Sequence, residues 1–229
     1  MSAEQKPSIA IDGPAAAGKS TVGKGVAEAL GFRYLDTGLM YRAVTYLGLS
    51  QGIDPTNGPP LADVARTTRF GPVRDLGEGV LVDGRRMNEE LRTTEVEAAV
   101  STVSAHPEVR KALVERQREI ARGGGIVMVG RDIGTVVLPN ADAKLWVTAS
   151  AQTRATRRRH ERSEDDVGGD TQLELSRIRA RDSRDSGRKV SPLRQADDAI
   201  VLETDGLTPE ETVRRAVLLV ENKLQNKEQ

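Results

Sequence analysis

Gly13-Pro14-Ala15-Ala16-Ala17-Gly18-Lys19-Ser20, with Thr21 following, decides how the rest of this chain is read. The octet fills every position of the pattern G-x-x-x-x-G-K-[ST]. Before it lies a short apolar run, Ser8-Ile9-Ala10-Ile11. After it, Val22, Val26, Ala29 and Leu30 recur at helical spacing between Lys19 and Leu30. A strand that feeds a glycine-rich turn at the opening of a helix is the setting in which this pattern binds phosphate. Backbone N–H groups converge on the anion, and the helix N-terminus adds favourable potential. Gly13 and Gly18 permit the torsions and the close approach, Lys19 reaches the β- and γ-phosphates of ATP, and the Ser20 hydroxyl ligates Mg2+. The loop points to a nucleotide but not to a reaction, because GTPases, ATPases and small-molecule kinases all use it.

Outward from the loop, short apolar runs alternate with helical patterns. Strands are predicted at Phe32 to Leu35, Ile126 to Val129, Leu145 to Val147 and Ile200 to Leu202, the last three reading as strands buried on both faces. Helices are predicted from Gly38 to about Gly48, Glu95 to Ser104, and Pro107 to Arg122, where the three glycines 123–125 end the run. The C-terminal helix starts at Thr208 with Pro209 in the first turn and Glu211 completing a capping box; Val213, Ala216, Val217, Val220 and Leu224 form its apolar face. Between Asp54 and Glu90, Pro55, Pro59, Pro60 and repeated glycines break the pattern into pieces, with small strands near Thr68–Val73 and Val80–Val82. The alternation calls for a parallel sheet with helices on both sides.

At 229 residues the chain fits one domain with inserted flaps. Lys+Arg and Asp+Glu both total 34, so the positive excess of a nonspecific nucleic-acid binder is missing. With no cysteines, disulfides, zinc–thiolate sites and cysteine nucleophiles are excluded. No apolar run reaches membrane-spanning length, and the expected location is the cytoplasm. His106 reads as a helix-entry residue, His160 as surface and Trp146 as core. Asp12 stands beside the loop as either a ligand or a structural acid.

The arginines separate kinases from the other users of the loop. A phosphoryl group moving between two phosphates needs several cations in a dry site. Arg177, Arg181, Arg184 and Arg188 recur at helical spacing, which sets them along one face, and Arg154, Arg157 and Arg158 form a second basic group. The segment Glu164–Gly169 between them reads as the tip of a mobile lid. A GTPase is disfavoured by the absence of an N-K-x-D guanine-reading motif.

Further segments make the chain resemble bacterial-type cytidylate kinases along nearly its full length: Leu35-Asp36-Thr37-Gly38 with Tyr41-Arg42; Arg92-Thr93 to Val96 with Ser101 and Arg110; Gly130-Arg131-Asp132-Ile133-Gly134-Thr135; and Arg181-Asp182-Ser183-Arg184-Asp185 with Arg188. The resemblance implies a three-layer P-loop NTPase fold with a five-stranded parallel sheet, an NMP-binding insert at about 54–104 and an arginine-rich lid at about 154–172. It implies transfer of the γ-phosphoryl group of Mg·ATP to CMP or dCMP, giving CDP or dCDP and ADP, by a protein that works as a monomer on small molecules. It gives the catalytic part to Lys19, Arg131 and Arg181, and ATP to residues 13–21 with Arg154, Arg157 and Arg158. The acceptor goes to Asp36, Thr37, Arg42, Arg131 and Arg188, the sugar to Arg181 and Asp185, and the base to Ser101, Arg110 and Asp132.

The base assignment also makes chemical sense. Cytosine offers two acceptors to a guanidinium and an amino donor to a carboxylate, as acids do when reading cytosine. Uracil would set a carbonyl against Asp132, so CMP is expected over UMP. Where several cytidylate kinases carry an acid just before G-R-D, this chain has Val129, which leaves Asp36 or Asp132 to support magnesium. The competing readings are a kinase for another small acceptor, such as a shikimate-like metabolite, and an ATP-sensing regulatory protein.

Overall fold

A computed structural model describes residues 6–162 and 171–227. Five strands, β1 (Ser8–Asp12), β2 (Arg33–Asp36), β6 (Ile126–Gly130), β7 (Ala143–Thr148) and β8 (Ile200–Glu203), form one sheet in the order β2-β6-β1-β7-β8. Every pairing in it is parallel. In β6, Ile126 and Met128 join the core on one face, whereas Val127 and Val129 join the core on the other. This is the two-sided burial that a continuous apolar strand requires. Helices α1 (Lys19–Leu30) and α8 (Pro209–Gln225) pack on each other over the second face. Helices α2 (Thr37–Ser50) and α5 (Pro107–Ala121) contribute to the core on the first.

The predicted capping box of α8 is present. Glu211 N donates to Thr208 Oγ1 at 3.2 Å, and Thr208 N donates to the Glu211 carboxylate at 2.9 Å. Losing such a cap costs about 1 kcal/mol. His106 is the residue entering α5, as read from the sequence, and its ring bonds the Pro55 carbonyl at 2.9 Å. His160 is exposed.

Three expectations are corrected. Residues 54–90 are not merely broken pieces, because Pro59 and Pro60 sit in the first turn of α3 (Gly58–Thr67), where a missing N–H costs nothing. The two small strands, observed as β3 (Phe70–Gly71) and β4 (Val80–Val82), are joined by an unforeseen third, β5 (Arg85–Met87), in an antiparallel sheet. The Asp83-Gly84 turn that makes the β4–β5 hairpin has φ of 49° and 85°, the geometry for which Asp-Gly is preferred. Last, β8 is an edge strand with Val201 45% exposed, and Trp146 on β7 is only half-buried.

Between β5 and α5 lie a short 3-10 turn (Glu89–Arg92) and α4 (Thr94–Val103), which Thr93 caps. After β7 come α6 (Ala151–Arg162) and α7 (Thr171–Ser186), packed on each other. The expected lid tip, Glu164–Gly169, lies outside the described residues.

Candidate active site

The phosphate loop closes on itself around backbone geometry that side chains could not adopt. At Gly13, with φ of 152°, an added Cβ would stand 1.9 Å from the Val147 carbonyl oxygen, and Gly18 has φ of 89°. Lys19 is buried and donates to the Pro14 carbonyl at 2.6 Å. Burial pushes its ammonium well below the ordinary lysine value, and the neighbouring Arg131 adds to the shift. An anion beside it would oppose both effects and favour the charged form.

Ser20 and Thr21 are exposed at the start of α1. Ser20 Oγ donates to Asp36 Oδ2 at 2.9 Å, while Asp36 Oδ1 accepts from Gly38 N at 2.9 Å and so caps α2. One hydroxyl with a carboxylate behind it fits Mg2+, which takes few protein ligands and keeps waters and phosphate oxygens. No group of three or more His, Cys, Asp or Glu side chains suited to a metal occurs among the described residues. Of the two acids considered for that support, Asp36 faces the loop serine, and Asp132 is engaged elsewhere. Val129 packs in the core, where its Cγ2 lies 2.4 Å from a Cβ placed on Gly23. Thr37 Oγ1 donates to the Val129 carbonyl at 2.9 Å, tying the start of α2 to β6.

Asp12 resolves as a structural acid. Its two carboxylate oxygens accept from Ile133 N at 2.8 Å and Gly134 N at 2.7 Å. They anchor one wide helical turn, Ile133–Val137, that follows Gly130-Arg131-Asp132. Burial raises the Asp12 pKa to about 6, against the lowering effect of those two N–H groups. Such wide turns often occur at functional sites, and this one fixes the residues before it.

Arg131 spans the cleft, with Nη1 donating to the Gly13 carbonyl at 2.7 Å and Nε to Asp185 Oδ2 at 2.9 Å. Arg188 donates to the other Asp185 oxygen and to Ser104 Oγ. Burial works against the Asp185 carboxylate, but Arg131 and Arg188 outweigh it and hold its pKa below the usual range. Arg181 is brought down to about 10, first by burial and then by Arg131. The four periodic arginines therefore do not act as one face. Arg177 is exposed and pairs with Glu174, Arg184 is exposed, and Arg188 lies beyond the end of α7.

The second basic group divides similarly. Arg154 is buried and spends its donors on Ala149, Ala15 and Asp182, so it braces the outside of the loop. Arg157 donates twice to Thr204 at 2.7 and 2.9 Å and stands over Gly18. Arg158 pairs with Glu97 of α4 at 2.7 Å. Arg42, on α2, donates to the Leu91 carbonyl at 2.9 Å; its pKa is lowered by burial, with Glu97 opposing the shift.

Arg110 Nη2 donates to Asp132 Oδ2 at 2.7 Å, with side chains only 2% and 5% exposed. The guanidinium lies 5.1 Å from the centroid of the Tyr41 ring and reaches the Ser104 carbonyl. Ser101 is half-buried on α4, its carbonyl accepting from Ser104 Oγ. Thus Ser104 joins Ser101, Arg110 and Arg188. Arg110 Nε is buried without a partner, as are the Tyr41 hydroxyl and Gln117 Nε2.

A family profile for cytidylate kinases matches residues 9–222. The chain belongs to the cytidylate kinase family. It is 45% identical to the cytidylate kinase of Anoxybacillus flavithermus over 97% of this chain and 99% of that one. The Exiguobacterium sibiricum cytidylate kinase is 47% identical over 96% and 99%, and that of Bacillus subtilis 45% identical over 96% and 99%. An uncharacterized protein from Eubacterium ventriosum, 13% identical, superposes with a TM-score of 0.52 over 96% of this chain and 99% of that one, a likeness of fold. The resemblance read from the sequence and the kinase class drawn from it therefore hold.

In this chain the sequence reading missed Glu97, Ser104 and Thr204. None sits in a phosphate or base motif. Only their tertiary partners reveal them.

Proposed function

We propose that this cleft transfers the γ-phosphoryl group of ATP to the 5′-phosphate of CMP or dCMP, giving ADP and CDP or dCDP. The observation that carries the reading is Arg131, which ties the loop carbonyl of Gly13 to Asp185 and hence to Arg188. Cations for donor and acceptor phosphates are thereby fixed to one another. An acceptor phosphate oxygen is already a nucleophile, so no general base is required, and catalysis rests on positioning and charge.

In this assignment residues 13–21 cradle the ATP phosphates, with Lys19 on the β- and γ-oxygens and Arg157 closing from above. Arg154 supports the loop, and Arg158, in the lid formed by about 154–172, joins Arg157 on the ATP phosphates. Arg42, Arg131 and Arg188 take the acceptor phosphate, assisted by Asp36 and Thr37 through the start of α2. Arg181 and Asp185 meet the sugar, and Arg181 also faces the moving phosphoryl group. Ser101, Arg110 and Asp132 read the base from the edge of the insert at about 54–104. Mg2+, held by Ser20 with Asp36 behind it, would neutralise phosphate charge. No described helix is long and apolar enough to cross a membrane. We assign the protein to the cytoplasm as a monomer acting on small molecules rather than on nucleic acid.

The test is ADP production from Mg·ATP with CMP, dCMP, UMP, AMP, GMP and shikimate. Turnover concentrated on CMP and dCMP supports the whole assignment. Turnover centred on another acceptor removes the roles of Ser101, Arg110 and Asp132. ATP binding with no turnover on any acceptor favours the regulatory reading.

A further inference from the structure

Glu97 is an acid among cations. It lies in the first turn of α4, and its carboxylate accepts from Arg158 Nη2 of α6 at 2.7 Å. These helices have different packing partners, α4 resting on α2 and α6 on α7. The ion pair therefore joins the insert to the base of the lid across 61 residues of sequence. Both side chains are partly exposed, at 33% for Glu97 and 25% for Arg158, so solvent and a solute anion can reach them. Arg42 lies within the same field: among the charges acting on it, Glu97 is the strongest, followed by Arg158 and Arg92. Arg42 and Arg158 in turn act on Arg181.

The cluster thus holds several guanidinium groups assigned above to phosphates, with Glu97 as an acid that serves neither base nor sugar. Packed cations repel one another, and a carboxylate among them relieves that repulsion when no phosphate is present. The same carboxylate opposes a phosphate that arrives, because like charges a few ångströms apart compete for the same donors.

We propose that Glu97 is the resident counter-ion of the phosphate-binding arginines, holding Arg158 through their ion pair and competing with substrate phosphate for these cations. The inference rests on the assignment of Arg42 and Arg158 to phosphates. Glu97 is a positioning residue, since its effect on substrate passes through these arginines. Its expected consequence has a definite sign. Neutralising an acid that only held the fold together would weaken substrate binding, whereas neutralising a competitor strengthens it.

The experiment compares CMP and cytidine binding to the full-length protein and to Glu97→Gln, at low salt and at about 0.5 M salt, with Arg42→Ala as control. Glu97→Gln should bind CMP roughly three- to tenfold more tightly at low salt, a range set by one partly screened charge. Cytidine, which lacks the phosphate, should bind both proteins alike, and the CMP gain should shrink at high salt. Unchanged or weaker CMP binding by Glu97→Gln, alongside weaker binding by Arg42→Ala, overturns the counter-ion role and leaves the phosphate assignment standing. Normal CMP binding by Arg42→Ala removes the assignment itself, and the inference with it.

Discussion

Arg110 and Asp132, 22 positions apart in sequence, are joined by a 2.7 Å hydrogen bond in an almost fully buried ion pair. Two charges are seldom sequestered in this way for stability alone, because their desolvation cancels much of their attraction. Here the pair leaves polar capacity unused: Asp132 keeps an oxygen that Arg110 does not take, and Arg110 Nε has no partner. In the proposed assignment those are the acceptor and donor that cytosine would meet.

Asp132→Asn should therefore lower the CMP-over-UMP ratio of kcat/KM by roughly ten- to a hundredfold, the range set by one unpaired buried polar group. The amide keeps the shape but can present its N–H2 to the uracil carbonyl. Asp132→Ala should erode the ratio as well, yet it leaves Arg110 uncompensated and should cost about 3–5 kcal/mol of stability. An unchanged ratio in the Asn variant, with ATP kinetics intact, removes Asp132 from base reading.

That pair also shows how far the sequence could be read. The family resemblance put Arg110 and Asp132 around one base, but it could not show that they are partners of each other. The loop and the buried strands were legible because phosphate geometry and two-sided burial each demand a local pattern. At β8 a like apolar triplet misled, since Ile200 to Leu202 carries no sign of which strand lies at an edge. The α3 prolines misled for a different reason: Pro59 and Pro60 break a helix in its interior but start one at its first turn. The arginines were visible as a group, and only their tertiary partners divided them into Arg154 as a brace, Arg177 as surface, and Arg131 and Arg188 as partners of Asp185.

The Ser20–Asp36 bond makes a prediction about magnesium. Asp36→Asn retains an oxygen for Gly38 N, so the cap of α2 should survive with a stability change below about 1 kcal/mol. Loss of the carboxylate behind Ser20 should raise the Mg2+ concentration needed for half-maximal turnover by about ten- to a hundredfold, as for other supports of metal ligands. The check is a Mg2+ titration of initial rate at saturating ATP and CMP. An identical titration curve in wild type and variant would place the support elsewhere.

Asp12 gives a pH dependence whose sign follows from its raised pKa of about 6 against 3.8. Below the lower value the carboxyl is protonated in both folded and unfolded chains. Between the two the folded chain holds a proton that the unfolded chain has released, so stability from this group falls as pH rises and is lost above about 6. Asp12→Asn removes that slope and also sets an amide N–H2 against Ile133 N or Gly134 N. Denaturant unfolding of both proteins from pH 4 to 7 should show the wild type losing stability relative to Asp12→Asn as pH rises toward about 6, so that the gap between them narrows. Parallel curves would mean that Asp12 ionises alike in both states.

Arg181 stands where stability and activity oppose each other. Burial and the adjacent Arg131 both disfavour its charge in the cleft, although at about 10 its pKa still leaves it cationic at neutral pH. Arg181→Met keeps an apolar stem of similar reach and removes the repulsion. Without substrates the variant should melt at the same temperature as the wild type or above it. Its kcat should nevertheless fall about a thousandfold, because a cation aimed at the transferring phosphoryl group is worth that much in such enzymes. Stabilisation by ADP and CMP together should also be smaller than in the wild type, since the charge they would neutralise is gone. Thermal melts with and without both nucleotides, set beside initial rates, test each part. A variant that loses stability and activity together would show that Arg181 holds the fold rather than the transition state.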